Sequence, residues 1–440
     1  MSSGSPMQLK RTLSATMLWG LGVGYVISGM YFGWNLGLEK GGTLGMAIAT
    51  FFIIILYVCF TFSYTELACA IPKAGGAFDY AKRAMGKDWG FITGMAQNIE
   101  FIFAPPAIAF AIGAYFNIAY KVPIVPVAIG SYILFTGLNI LGIKAAAIFE
   151  LIITILAVGE LLLFAGITLP HFQMHNLTQD AFPNGWSGVA AAIPFAIWFF
   201  LGIEGVANVA EETINPQRTI LKGFGSAIIT LVVLCVLTFV SSIGVAGWKA
   251  IVYEGGNVSN SPLPLALGKV VGSNDVFYHL LITVGLFGLI ASFHGLILAA
   301  GRASFEFGRV RFAPAFLGKI HPKFKTPANA LLVNMGIGII ALLTGETEAI
   351  ITISVFGAIT LYILSMIALL RLRKSEPELE RPFKAPLYPL MPVVALVIGI
   401  ISLIAMCVYN IKLAAIYFLI MGISFGLFKI FSDRTETDNV

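Results

Sequence analysis

Charged side chains are scarce in this chain. Asp, Glu, Lys and Arg make up 11% of its 440 residues, whereas a soluble domain carries roughly 25%. Hydrophobic residues reach 58%, and the mean hydropathy is +0.90. A soluble protein of this length would fold as two or three domains with polar surfaces, and this chain has too few polar residues to cover them. The composition therefore predicts a protein embedded in a membrane.

Metal ligands and catalytic motifs are also missing from the sequence. The four cysteines (Cys59, Cys69, Cys235 and Cys407) lie inside apolar runs without metal-ligand spacing, which is typical of buried small hydrophobic residues. No P-loop, nucleophile elbow or cluster of His and Asp is visible, so an enzyme is disfavoured and no cofactor is expected. The basic residues are spread over short loops, which argues against a nucleic-acid partner.

Long apolar runs fill the chain instead. A helix that crosses a bilayer needs about 20 mostly apolar residues, and twelve segments qualify as spans 1 to 12. They are residues 13–36, 44–71, 90–119, 123–141, 147–169, 187–209, 220–247, 277–305, 328–344, 348–370, 390–409 and 412–431. The largest outer segment, 248–276, is rich in Gly, Asn, Ser and Pro and is predicted to be a surface loop. The fold class is therefore an all-α polytopic membrane protein surrounded by lipid.

The basic residues orient these spans. With the N-terminus inside, 22 of the 27 Lys and Arg residues fall in inner segments, as the positive-inside rule requires. The outer segments hold only Lys40, Lys121, Lys249, Lys269 and Lys412. We therefore expect both termini in the cytoplasm.

Two of the spans carry glycine and polar residues near their middles, where these weaken the helix and leave backbone groups without partners. Span 1 contains the segment 27–35, and span 6 contains the segment 198–205. Paired breaks of this kind form the substrate site in transporters built from inverted repeats. The prediction is a five-plus-five architecture with repeats 13–169 and 187–370, broken spans 1 and 6, and two extra spans over 390–431. The alternative is that these glycines only permit close packing.

Ionisable groups inside a span are expensive, so each one is a functional candidate. Glu100, in the middle of span 3, is the first candidate for binding an ammonium group. Glu204 lies in the break of span 6 and is a candidate for proton coupling or gating, with Glu160 and His294 as further candidates. The acids outnumber the bases inside the spans, which suits a cationic solute or coupling ion.

Other charged residues near the span ends are expected to be structural. Glu66 is predicted to pair with a neighbour at the inner end of span 2. Glu211, Glu212 and Arg218 are predicted to form a charge network on the inner face.

Aromatic side chains flank both breaks. Aromatic faces attract ammonium groups by cation–π interaction, worth about 0.5–2 kcal/mol. Trp198 is the favoured candidate because it lies beside the break of span 6. Ordinary packing of these rings is the alternative.

The sequence resembles the amino acid–polyamine–organocation transporter superfamily. The residues that carry the resemblance are 27–32 in span 1, 65–76 after span 2, 202–218 around span 6 and 371–389 after span 10. Three further stretches are similar to the ethanolamine permease branch, namely 28–35 (SGMYFGWN), 100–107 (EFIFAPPA) and 292–295 (SFHG). Two positions depart from the patterns. Met30 stands where that branch often has an acid, and Ala157 stands where some proton-coupled members have a lysine.

The resemblance implies alternating access and a substrate site between the two breaks. The substrate-binding residues it implies, together with Glu100, are Ile27, Ser28, Gly29, Met30, Tyr31, Trp198, Phe199, Leu201 and Gly202. It also implies import of ethanolamine or a related small amine across a bacterial plasma (inner) membrane, coupled to H⁺ or Na⁺.

Two alternatives stay open. An amino acid or polyamine transporter of the same fold would also fit, because free N–H groups near Ser28 and Gly29 could hold a carboxylate. A channel would differ in its kinetics, since a transporter saturates and shows counterflow.

Overall fold

The computed structural model describes residues 11–141, 143–273 and 276–437, and this part of the chain is almost entirely helical. In chain order the helices are α1 (Ala15–Val26), α2 (Ser28–Tyr31), α3 (Trp34–Ala70), α4 (Ala77–Met85), α5 (Lys87–Tyr120), α6 (Ile124–Leu141), α7 (Ile143–Thr168), α8 (Met174–Thr178), α9 (Gly185–Trp198), α10 (Pro216–Ala246), α11 (Trp248–Val252), α12 (Pro262–Val271), α13 (Val276–Arg309), α14 (Ala328–Leu342), α15 (Thr347–Ser375), α16 (Leu390–Tyr409) and α17 (Ile411–Thr437). Short 3-10 segments occupy Leu169–His171 and Ile203–Glu212, and β1 (Tyr253–Glu254) pairs with β2 (Asn257–Val258).

The predicted all-α membrane fold is confirmed. Ten helical stretches in the described part of the chain are long and apolar enough to cross a bilayer. The interrupted first span and the short helix α14 complete the twelve predicted spans. Helix α14 has 15 residues, which is fewer than the roughly 20 that a perpendicular crossing needs. The division into two inverted repeats stays a prediction.

The boundary between spans 1 and 2 lies inside one helix, and the interruption of span 1 comes earlier, around Ile27 and Gly33. Helix α1 stops at Val26, α2 forms a single turn, and Gly33 adopts a left-handed φ of 89° before α3 starts. Helix α3 then contains both the outer part of span 1 and all of span 2, joined at a bend where Gly42 has φ 66°. A β-carbon at Gly42 would collide with Pro183 and Ala181, so only glycine allows this bend.

The outer segment between α10 and α13 is more ordered than a surface loop. Helix α11, the β1–β2 hairpin and helix α12 fill it. Trp248, Leu263 and Leu267 are buried, and the carbonyl of Ser259 accepts a hydrogen bond of 2.7 Å from the side-chain amide of Asn35. The prediction of a surface loop from the Gly, Asn, Ser and Pro content is therefore wrong for much of this segment, because that composition carries no signal of the apolar face that packs on the bundle. This segment therefore covers the outer end of the broken first span.

The opposite end of the bundle is held by buried ion pairs. Glu66 is 0% exposed, and its carboxylate lies 2.6 Å from Nε of Arg373 and 3.2 Å from Nε of Arg381. It also accepts a hydrogen bond of 2.7 Å from the backbone amide of Ala385. The predicted structural role of Glu66 is confirmed, because it links α3, α15 and the segment before α16.

The predicted charge network around Glu211 and Glu212 has a different base from the one expected. Arg302 on α13 pairs with Glu212 at 2.9 Å, and Glu211 accepts a hydrogen bond of 3.1 Å from the amide of Ala74. Arg218 is exposed and makes no ion pair within the described ranges. Sequence proximity suggested Arg218, whereas α13 brings Arg302 to the buried acid.

Replacing Glu66 with alanine should strongly destabilise the fold. The change leaves two guanidinium groups at a buried position without their counter-ion, and breaking such a pair costs about 3–5 kcal/mol. Thermal unfolding of the purified protein in detergent measures the effect.

Glu376→Ala is the matched control for that variant. A hydrogen bond from Arg83 lowers the pKa of Glu376, but the two side chains are 42% and 32% exposed, so the pair is worth about 1 kcal/mol or less. Equal melting temperatures for the two variants would contradict the structural role of Glu66.

Candidate substrate and cation site

The breaks of the first and sixth spans touch each other through their backbones. A β-carbon on Gly29 would collide with the carbonyl of Trp198 and the backbone of Phe199. A β-carbon on Gly33 would meet the indole ring of Trp198. Because glycine removes these collisions, the two interrupted helices approach to direct contact.

Aromatic rings pack against the contact between the two breaks. The indole N–H of Trp198 donates a hydrogen bond of 3.0 Å to the carbonyl of Phe32, and the two rings meet edge to face at 5.5 Å. Trp34 stacks on Phe199 at 5.5 Å and donates its indole N–H to the carbonyl of Met30 at 3.0 Å. The indole N–H groups thus satisfy carbonyls that the breaks leave free, which helps the non-helical backbone to persist inside the bundle.

The predicted substrate-binding residues are therefore close together and buried. Helix α9 ends at Trp198, and Gly202 has φ 95° before the 3-10 segment begins. Those that line the two breaks are at most 3% exposed where a value is given, namely Ile27, Ser28, Met30, Tyr31, Trp198, Phe199 and Leu201. In this structure the side chains that line the two breaks are thus shielded from solvent.

Two acids lie side by side next to the break of the sixth span. Glu100 on α5 and Glu204 in the 3-10 segment are each 0% exposed, and their carboxyl groups are neighbours. The Tyr362 hydroxyl donates to Oε2 of Glu204 at 2.8 Å and lies 3.1 Å from the hydroxyl of Tyr57. We call Glu100 and Glu204 the carboxyl pair.

The carboxyl pair lacks compensating charge. Among the described residues, the backbone of Gly202 and the carboxyl group of Glu204 approach Glu100, but neither oxygen of Glu100 and not Oε1 of Glu204 makes a hydrogen bond of good geometry. In the same part of the chain, no Lys, Arg or His pairs with either acid. Two adjacent carboxylates cannot both stay ionised in a buried site without a cation. The pair can therefore accept positive charge, either as a proton or as a bound cation.

Glu160 is not part of the carboxyl pair. Its Oε2 lies 2.5 Å from the hydroxyl of Tyr31, which also lies 3.0 Å from the carbonyl of Ala157. Tyr115 donates a hydrogen bond of 3.0 Å to the carbonyl of Tyr31. A cavity of about 10 Å³ beside these groups is lined by Leu263 of α12 and its neighbours, and it has room for about one water molecule. Tyr31 is thus locked to α7 beneath the outer segment.

His294 also stands apart from the carboxyl pair. Its Nδ1 lies 2.8 Å from Oε2 of Glu150, and both side chains are at most 2% exposed. Oε1 of Glu150 has no hydrogen-bond partner in the described part of the chain, and this oxygen lies against Gly24 of α1 and Gly295 of α13. The pair therefore connects α7 and α13 beside the first half of the broken span.

One backbone donor expected to be free is in use. The amide of Ser28 donates to the hydroxyl of Ser292 at 3.2 Å, and that hydroxyl donates to the carbonyl of Tyr25 at 2.6 Å. Ser292 thus binds both sides of the break in the first span.

Sequence reasoning missed two side chains that the structure brings to these sites, Tyr57 and Tyr362. Glu150 was visible as an acid inside a span and Ser292 as part of the stretch 292–295, but their partners were not. The two tyrosines carry no local signal, because each matters only through a contact with a distant helix.

A helical membrane protein that closes a buried, uncompensated acid site between two broken helices has the architecture of a transporter. The family model described as "Amino acid permease" matches residues 12–426. The chain belongs to this family, and it is a transporter rather than an enzyme. The narrower assignment to an ethanolamine branch stays a prediction.

Three relatives place the chain within that family. It is 28% identical over 408 residues to an uncharacterized transporter of Rhizobium meliloti (strain 1021), covering 89% of this chain and 86% of the relative. It is 27% identical to the branched-chain amino acid permease BcaP of Bacillus subtilis (strain 168), covering 93% of each chain. It is 27% identical to the methylthioribose transporter of the same organism, covering 88% and 86%.

Gly29→Ala should abolish transport while leaving folded protein in the membrane. The added methyl group separates the two breaks, because the carbonyl of Trp198 is backbone and cannot move aside cheaply. Substrate uptake into proteoliposomes, normalised to folded protein, measures the effect.

Gly225→Ala is the control, because nothing lies within 4 Å of a β-carbon at that position of α10. This variant should transport normally, since alanine also favours a helix by about 1 kcal/mol. Normal uptake by Gly29→Ala would mean that the breaks need not touch.

Proposed function

We propose that this protein imports ethanolamine or a closely related small amine by alternating access, driven by a proton gradient. The observation that carries the proposal is the carboxyl pair, which is buried and has no basic partner among the described residues. An ammonium group would supply the missing positive charge and donate hydrogen bonds to the free carboxyl oxygens. The ethanolamine-like stretches at 28–35, 100–107 and 292–295 support the choice of amine.

The state of the first break also supports an amine without a carboxylate. A free amino acid would need backbone N–H groups near Ser28, and the amide of Ser28 is already bonded to Ser292. Ethanolamine carries only a hydroxyl at its other end. It therefore needs no charged counterpart there.

The second candidate is an amino acid. A permease for branched-chain amino acids matches this chain over 93% of both lengths, and an amino acid also carries an ammonium group for Glu100. In that case, the Ser28–Ser292 hydrogen bond would have to open so that the amide could bind the substrate carboxylate.

Alternating access requires that the two closures open in turn. On the outer side, Tyr31 is held by Glu160, Ala157 and Tyr115. On the inner side, Arg302 bonds to Glu212, which follows the break of the sixth span. In our proposal, the outer-open state releases Tyr31 and the inner-open state releases Arg302. The predicted repeats 13–169 and 187–370 would move against each other between these states.

Protonation of the acids supplies the coupling in this proposal, with Na⁺ as the alternative ion. Glu204 keeps one oxygen bonded to Tyr362, and its other oxygen has no hydrogen-bond partner of good geometry among the described residues. Glu160 faces a hydroxyl that carries one hydrogen but contacts two acceptors. A proton on Glu160 would complete both contacts and favour the closed outer side. The Glu150–His294 pair is a further place where a proton could bind as α1 moves.

The proposed setting is a bacterial plasma membrane with both termini in the cytoplasm. The excess of basic residues in the inner segments supports this orientation. The ion pairs Glu66–Arg373 and Glu212–Arg302 lie at the predicted inner end.

Glu100→Gln should lower uptake of labelled ethanolamine by at least about tenfold. The change removes the charge that binds the ammonium group, and a hydrogen bond to a charged group contributes about 1.5–3 kcal/mol. Uptake into proteoliposomes with an imposed proton gradient is the measurement.

Glu348→Gln is the matched acid-to-amide control, since Glu348 is 41% exposed and pairs with Lys40 at the outer surface. Accumulation of a branched-chain amino acid but not of ethanolamine by the unaltered protein would overturn the amine assignment. Near-normal ethanolamine affinity in Glu100→Gln would move the ammonium site elsewhere.

Glu204→Gln should separate exchange from accumulation. A glutamine can still accept a hydrogen bond from Tyr362, but it cannot take up a proton. Counterflow of labelled substrate should therefore persist while gradient-driven accumulation falls to the equilibrium level. Proton-driven accumulation equal to that of the unaltered protein would exclude Glu204 from coupling.

A further inference from the structure

A groove of about 610 Å³ lies between α5, the end of α13 and α17, far along the chain from either break. Its apolar wall includes Phe91, Met95, Phe312 and Phe428. Phe91 stacks on Phe428 at 4.3 Å, and Phe312 meets Phe428 edge to face at 4.8 Å. The volume falls within the range of known small-molecule pockets.

The groove faces the surface that lipid would cover. Leu427, which lines it, is 50% exposed, and the nearby side chains Ile423 and Ile430 on α17 are 56% and 54% exposed. Large apolar side chains exposed along a membrane helix are in contact with acyl chains. The groove is thus open to the bilayer rather than to the transport path.

The mouth of the groove is basic. Arg311 lines it, is exposed, and has no ion-pair partner among the described residues. The ammonium group of Lys82 lies 5.7 Å from the centre of the Phe312 ring, and that of Lys87 lies 5.8 Å from the centre of the Phe428 ring.

Three acids near the mouth, within the described part of the chain, already have basic neighbours. Glu306 pairs with Arg309 at 2.7 Å, and Asp88 pairs with Lys429 at 2.7 Å. Asp79 lies near both Lys73 and Lys82. The guanidinium of Arg311 is therefore available to an anion from outside the chain.

The mouth lies at the end of the bundle that is predicted to be cytoplasmic. Helix α5 begins there at Lys87, and helix α13 ends there at Arg309. At this depth an amphipathic molecule would place its acyl chain along the helices and its headgroup beside the loop. Basic pockets between helices on this side of a membrane are suited to anionic headgroups.

We propose that this groove binds one anionic phospholipid of the inner leaflet. Arg311 holds the phosphate through its planar fork of donors. An acyl chain packs against Phe91, Phe312 and Phe428. The site is separate from the transport path and does not depend on which amine is carried.

Native mass spectrometry of the full chain in detergent tests the proposal. Phosphatidylglycerol and phosphatidylcholine with identical acyl chains are titrated separately, and the apparent affinities are compared. The unaltered protein should retain one phosphatidylglycerol with about tenfold preference over phosphatidylcholine, because the choline ammonium of phosphatidylcholine offsets its phosphate charge and weakens the contact with Arg311. Equal affinity for the two lipids would overturn the proposal.

Two variants separate the headgroup from the acyl chain. Arg311→Gln should lower phosphatidylglycerol affinity to that of phosphatidylcholine. Ser424→Trp, which places an indole inside the groove, should weaken both lipids. Lys319→Gln is the control, because Lys319 is an exposed base in the same loop that does not line the groove.

Folding controls and a conservative variant complete the test. Melting temperatures confirm that the variants are folded, and Arg311→Lys serves as a second variant with an intermediate preference expected. An unchanged lipid preference in Arg311→Gln, or unchanged affinities in Ser424→Trp, would overturn the proposal. Displacement of the lipid by inorganic phosphate at equal concentration would show a simple anion site instead.

Discussion

The carboxyl pair of Glu100 and Glu204 is the constraint on which the proposed function of this protein depends. Both side chains are fully buried, and no described Lys, Arg or His compensates them. Burial of two acids without a cation is unfavourable. The site beside the broken helices therefore favours the binding of a proton or a cation. In our proposal, a proton neutralises the pair when no substrate is bound, and an ammonium group or a metal cation takes its place. Exchange between these occupants is the simplest physical basis for coupling solute movement to an ion gradient.

In our proposal, the contact between the two breaks links binding at the carboxyl pair to a change in the conformation of the two interrupted helices. Gly29 and Gly33 lie directly against Trp198, so a guest that occupies the space between the breaks must displace backbone as well as side chains. In our proposal, this displacement is transmitted to the contacts that close each end of the path. Tyr31 is tied to α7 through Glu160, and the segment after the sixth break is tied to α13 through Arg302. Both closures involve residues adjacent in sequence to a break, which allows one binding event to affect the two ends of the path.

The bundle also separates buried acids by role. Glu66 and Glu212 have basic partners and link helices at the end of the bundle that is predicted to be cytoplasmic. Glu150 has a histidine, whose charge depends on protonation. Among the described residues, Glu100 lies beside Glu204 and the backbone of Gly202, and Glu204 accepts a hydrogen bond from Tyr362, but neither acid has a basic partner. The buried acids thus range from permanently paired structural groups to groups without a basic partner, which could bind a proton or a cation. All of them are glutamates, so the residue type alone does not distinguish these roles.

The sequence by itself determined the helical membrane fold, the number of spans and the two breaks. These follow from hydropathy, glycine and polar residues within single segments, so no distant contact is needed to predict them. It also identified Glu100, Glu204, Glu160 and His294 as acids or bases that a membrane tolerates only for a reason. Only the tertiary structure decided the partners. Tyr31 and Glu160 are 129 residues apart, Glu150 and His294 are 144 apart, and Glu204 and Tyr362 are 158 apart. Such pairings arise from helix packing, and a single sequence carries no local signal of which helix faces become neighbours.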